Sequence, residues 1–110
     1  MLECIIQKQI CQWLQLNRYF YFSIPNELGG ANAAIRTARY KTLGLRSGSP
    51  DLCVALPNGL IYFLEVKNEK GKQSDSQIHF ESELKKRDHY YFVVRSLDEV
   101  IKILNGVKPV

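Results

Sequence analysis

The chain lacks any apolar run approaching the roughly 18 residues that a membrane-spanning helix needs, which excludes a helical membrane protein. Its first residues, Met1-Leu2-Glu3-Cys4, have neither the basic start nor the cleavage site of a secretory leader, so a cytoplasmic protein is expected. Cysteine is sparse. Cys4, Cys11 and Cys53 form an odd set without a CxxC pair, which excludes a complete disulfide framework and predicts reduced, mostly buried thiols. His79 and His89 stand ten residues apart and share no ligand spacing with a cysteine, so no zinc site is expected. No GK[ST] follows Gly29-Gly30, which removes a phosphate-binding P-loop and leaves that pair as a loop connection. Internal repeats, low-complexity tracts and linkers are absent too. What is there is 110 residues, 45% hydrophobic and 24% charged, the make-up of one globular domain.

Charge is distributed more informatively than its sum of +4 suggests. Residues 1–16, 51–74 and 75–110 each balance to zero, so the whole excess lies in 17–50, where Arg18, Arg36, Arg39, Lys41 and Arg46 face only Glu27. A basic segment of this kind suits a polyanion such as nucleic acid, although a solvated surface reads the same way.

Apolar positions at helical spacing, Ile6, Ile10, Trp13 and Leu14, predict a helix over 2–16. Aromatic and β-branched residues from Tyr19 to Ile24, stopped by Pro25, predict a strand. Asn26 to Asn32 carries loop residues, and 33–43 reads as a short surface helix with a thin apolar stripe. Residues 51–56 and 60–66 predict a hairpin. Ser74 with Gln77 is a capping box opening a helix to about Arg87. A strand over 90–94 follows, then a second capping box at Ser96 and Glu99 with a helix that Gly106 stops. The order α-β-(α)-β-β-α-β-α predicts an α/β fold with a mixed sheet flanked by helices.

The hairpin carries the sharpest inference. If Asn58-Gly59 alone formed the turn, Leu52 would face Glu65 and Asp51 would point to the other side of the sheet. If Pro57, Asn58 and Gly59 all belong to the loop, Leu56 pairs with Leu60 and Asp51 lies opposite Glu65. The second option is favoured, with Pro57 and Asn58 as the central residues of a type I turn and Gly59 as the left-handed residue of a bulge. Two opposed carboxylates have Cβ atoms about 5 Å apart and repel. Lys67, on the same face by strand alternation, cannot neutralise both, and Glu3 on the first helix brings a third if that helix packs alongside. A hard divalent cation such as Mg²⁺ can, with the Val66 carbonyl turned toward it. Ile61 and Phe63 precede Glu65 on that face, so it reads as a helix-covered sheet with charges gathered at one end.

Ser49-Pro50-Asp51, thirteen residues, then Glu65-Val66-Lys67 resembles the PD-(D/E)xK nuclease motif. Glu3 and Gln7, Pro25-Asn26, Gly44 through Leu52, and Ser74-Asp75-Ser76-Gln77 with Phe80 resemble the virus-type replication-repair nuclease domain, VRR-NUC, in its stand-alone phage and bacterial form. The likeness runs from Glu3 to about Val94. It implies a restriction-endonuclease-like α-β-β-β-α-β core and a Mg²⁺- or Mn²⁺-dependent DNA endonuclease leaving a 3′-hydroxyl and a 5′-phosphate. Carried over, Asp51, Glu65 and the Val66 carbonyl are metal ligands, Glu3 contributes through water or a second metal, and Lys67 orients or deprotonates the attacking water. Gln77 would line the active site, against its local reading as a cap residue. Gln7 and Asn26 would face DNA, against local readings as a helix-surface glutamine and a turn residue.

One site makes one nick, so paired nicks point to a homodimer. The expected substrate is a Holliday junction or other branched DNA, held on its phosphates by Arg36, Arg39, Lys41, Arg46, Lys70 and Lys72. Two other functions remain open: a catalytically silent DNA-binding or assembly module, and a flap nuclease or exonuclease acting on ends.

Overall fold

The computed structural model describes residues 1–25 and 31–110. Helix α1 (Glu3–Leu16) leads into β1 (Phe20–Ser23), then α2 (Ala33–Lys41), β2 (Leu52–Ala55), β3 (Ile61–Val66), α3 (Asp75–Lys85), β4 (Tyr90–Val94) and α4 (Leu97–Ile103). The elements follow the expected order, with ends trimmed by one or two residues. The four strands lie side by side in chain order. β1, β2 and β3 run antiparallel, and α3 is the crossover that returns β4 parallel to β3.

The hairpin register pairs Leu52 with Leu64 and Ala55 with Ile61, so one step further Asp51 stands opposite Glu65. Its turn differs from the expected type I. Asn58 (φ 65°) and Gly59 (φ 76°) are both left-handed, as a mirror-image Asn-Gly turn requires. The Leu56 amide donates to the Leu60 carbonyl at 2.7 Å. Pro57 has no N–H to pair with Leu60, so it becomes the extra residue of a bulge, and the register of the longer loop results.

Helices α1 and α4 cover one sheet face. Ile6, Ile10 and Leu14 from α1 meet Leu52, Val54, Leu64, Val66 and Val94 from the sheet and Val100 and Leu104 from α4. Each such side chain contributes about 1.5–3 kcal/mol when fully buried. Trp13 packs at the margin and stacks on Tyr19, with ring centroids 5.8 Å apart. On the opposite face α3 packs against β4, while Phe20 and Phe22 at the β1 end stay exposed. On that face Cys53, Glu65 and Tyr91 are buried, as the expected covered sheet requires, while the β1 edge is exposed.

Two local expectations are corrected. Only Cys53 is buried; Cys4 is exposed, and Cys11 is half-buried where α1 packs against the core. At α4 the Ser96 hydroxyl accepts the Glu99 N–H, but the Glu99 carboxylate takes the Arg95 N–H at 3.2 Å, one residue before the position a capping box uses. As its thin stripe predicts, α2 buries no residue.

Candidate active site

The site forms where β2 begins and β3 ends. Strand alternation aims Glu65 away from the α1 face, and burial there is nearly complete, at 1% exposed. Asp51 sits opposite it, one residue before β2. Its Oδ2 accepts the Val66 N–H at 2.7 Å. The residue that would normally occupy that ladder position is Pro50. Because Pro50 offers no N–H, the Val66 carbonyl on the same strand edge receives no hydrogen bond from β2 there. Proline before the aspartate thus leaves one backbone oxygen beside two carboxylates.

Lys67 lies two residues beyond Glu65 on the same face. Its Nζ is 3.7 Å from Glu65 Oε2, and the residue is only 8% exposed. Its backbone N–H extends the ladder to the Val94 carbonyl at 3.0 Å, which fixes the direction of the side chain.

Gln77 serves both of the roles that the sequence left as alternatives. Its Oε1 accepts the Ser74 N–H at 2.8 Å while the Ser74 hydroxyl accepts the Gln77 N–H, completing the capping box. Its Nε2 donates to Glu65 Oε2 at 3.0 Å. An amide is required for this double use, since a carboxylate could accept at the cap but could not donate to Glu65.

Burial pushes the Glu65 carboxyl up to about 8, helped by the neighbouring Asp51 carboxylate and by Glu3, against the opposing charge of Lys67. Glu65 Oε1 is buried without a hydrogen-bond partner. Such an oxygen costs free energy unless something binds it. Two carboxylates, one of them with an unpaired oxygen, and a strand carbonyl to which Pro50 cannot donate make a hard donor set that fits Mg²⁺ or Mn²⁺, which are commonly held by one or two carboxylates with water elsewhere. Among the described residues no three Asp, Glu, His or Cys side chains converge as a ready-made cage. Glu3 accounts for the difference. It stands at the rim, its Oε2 facing the Asn68 N–H at 3.5 Å and close to Gly71.

Two neighbours escaped the sequence reading. Tyr91, beside Phe63 in the parallel register, is buried on the site face and receives a hydrogen bond from Gln73 Nε2 at 3.3 Å. Burial first, and then Glu65, raises its hydroxyl pKa, so it stays neutral. Arg95 donates through Nη1 to the carbonyls of Asn68 (2.6 Å) and Gly71 (2.7 Å), tying down the segment that follows Lys67. Only the parallel pairing of β3 and β4, which sequence spacing does not specify, would have revealed either.

The remaining expected residues surround this centre. Gln7 lies one turn along α1 from Glu3 and is half-buried. Arg39, Lys41, Arg46, Lys70 and Lys72 are exposed; Arg36 is half-buried and less open to a phosphate than expected. Asn26 lies outside the described residues.

Residues 3–98 match the family model described as the VRR-NUC domain. A solved structure described as a VRR_NUC domain is similar at TM-score 0.65 and 29% identity, covering 94% of each chain. Another, described as a VRR_NUC domain protein, is similar in fold at TM-score 0.76 and 18% identity, covering 96% of this chain and 86% of that one. No curated protein matches the chain.

Proposed function

The chain belongs to the VRR-NUC domain family, whose function is of the nuclease type, and we propose on that premise that it is a Mg²⁺- or Mn²⁺-dependent DNA endonuclease of the PD-(D/E)xK kind. It cuts phosphodiester bonds in branched DNA, four-way junctions included, and acts as a homodimer in the cytoplasm. The observation that carries this reading is Glu65, buried opposite the half-buried Asp51, with Lys67 Nζ 3.7 Å away and Glu65 Oε1 without a hydrogen-bond partner.

Asp51, Glu65 and the Val66 carbonyl would hold the cation, with Glu3 reaching it through water. When bound, the cation supplies an activated water and neutralises charge developing on the scissile phosphate. Lys67 would orient the attacking water from the Glu65 face, and Gln77 holds the Oε2 of Glu65. The exposed cations Arg39, Lys41, Arg46, Lys70 and Lys72 hold DNA phosphates, contacts that read shape and not sequence. A second copy supplies the second nick, and the exposed Phe20 and Phe22 at the open end of the site face are a surface available to it.

Incubation of the purified protein with a labelled four-way junction or a linear duplex, in Mg²⁺, Mn²⁺ or EDTA, tests this. The junction is expected to be cut in either metal and spared in EDTA. Asp51→Asn and Lys67→Ala should each reduce cutting at least ~100-fold while DNA stays bound. Cleavage unchanged by both substitutions would place the chemistry elsewhere. Cleavage requiring a free end would assign a flap nuclease or exonuclease, and binding without any cleavage a silent module.

A further inference from the structure

Beside this site lies a pocket that the chemistry above does not use. Its volume is about 250 Å³, and it is lined by Arg46, His79, Phe80, Glu83, Leu84 and Arg87. It lies along α3, the helix whose first turn carries Gln77. Gly48 packs so tightly on α3 that an added Cβ would sit 2.3 Å from the Ser76 carbonyl oxygen, so the loop running from Arg46 to Asp51 lies across the start of that helix. Phe80 comes three residues after Gln77, about one helical turn from the amide that holds Glu65.

The lining has a mixed character. Phe80 and Leu84 form a half-buried apolar floor. Arg46 is exposed at the rim. Arg87 Nη1 donates to the Glu83 carbonyl at 2.8 Å and to the Glu83 carboxylate at 3.1 Å. Lys86 Nζ (3.1 Å) and His79 Nε2 (4.0 Å) also face that carboxylate. A lone phosphate would gain nothing from the apolar floor and would meet Glu83. A nucleobase has a flat π-face for the aromatic ring and the apolar floor, and a flanking phosphate that the exposed Arg46 guanidinium can hold. The volume is below the ~300 Å³ at which pockets for larger ligands begin, in keeping with a single ring system. A base stacked within a duplex cannot enter; one freed at a branch point can.

We propose that this pocket receives one unpaired nucleobase of the DNA strand bound at the Asp51–Glu65 site, its ring laid on Phe80 and its flanking phosphate held by Arg46. The inference rests on the nuclease reading of that site and adds to it the feature by which branched DNA is told from duplex.

An abasic scan tests it. Forked DNA is made with a tetrahydrofuran abasic residue at each nucleotide around the fork in turn, and affinity is measured in EDTA. At one position, loss of the base should weaken binding about tenfold, the scale of one base–aromatic stack. In Phe80→Ala, and separately in Arg46→Ala, whose side chain is too exposed to matter for folding, that dependence should shrink to within twofold. A flat scan in the native protein, or a base dependence undiminished in both variants, would overturn the proposal. Cutting of the same forks in Mn²⁺ is scored separately. A flat scan with cutting rejects the pocket and spares the nuclease; a base-dependent scan without cutting does the reverse.

Discussion

Glu65 is a carboxylic acid whose folded-state pKa lies near 8 against an ordinary 4.5, raised first by burial and then by Asp51. The folded protein therefore binds a proton that the unfolded chain releases between those values. The stability this provides is fully present below about pH 4.5 and is lost as pH rises through 8. Thermal melts in EDTA should show the native protein weakening from pH 5 to pH 8. Glu65→Gln should flatten that decline and melt higher than the native protein at pH 8; a parallel decline in the variant would mean another group is responsible. Gln77→Glu is the complementary case. It keeps an acceptor for the Ser74 N–H but sets a third negative group against Glu65, where the amide now donates at 3.0 Å. Mn²⁺ affinity or cleavage should fall about 10- to 100-fold, as for other groups that orient a metal ligand. At this scale the sequence was informative about Asp51, Glu65 and Lys67, because counting loop residues and alternating along a strand settle which side chains share a face. It left Gln77 divided between two roles because only coordinates reveal that one amide can perform both.

Among the elements, the contact between the 44–50 loop and the start of α3 sets the site's geometry. Gly48 has φ +84°, and a Cβ there would meet the Ser76 carbonyl oxygen at 2.3 Å and the Gln77 nitrogen at 2.8 Å. Gly48→Ala should cost about 1–3 kcal/mol for the backbone conformation alone, with the clash in addition. It should also slow cleavage, since the loop ends at Asp51 and the helix begins beside Gln77. Unfolding by urea and a cleavage assay on the same variant check both; a fully stable, fully active variant would contradict the tight contact. Element types and order were legible because amphipathic spacing and the Ser74 cap are local signals. The turn was not. Asn58 adopts a left-handed conformation that its residue type permits but does not demand, and the missing Pro57 N–H decides the outcome. The parallel return of β4, which brings Tyr91 and Arg95 to the site, depends on how an 11-residue helix crosses the sheet, and no local pattern records that.

Over the molecule as a whole, a net charge of +4 concentrated in residues 17–50 makes DNA affinity a matter of counterion release. Arg39→Ala and Lys41→Ala should each lower the slope of log affinity against log salt by about 0.9, with the cleavage step spared. An unchanged slope would take α2 out of the interface. The basic excess of 17–50 was legible in composition. That Arg36 is half-buried, and that the β1 end of the site face is left uncovered with Phe20 and Phe22 exposed, follows from packing and was not. Everything else depends on the buried Glu65 and the half-buried Asp51 forming a cation site. Calorimetric titration of metal-free protein with Mn²⁺ at pH 7, in two buffers of different protonation enthalpy, addresses that directly. Binding accompanied by proton release, and abolished by Asp51→Asn, is the expected result. Absence of binding, or binding that Asp51→Asn and Glu65→Gln leave intact, would contradict it.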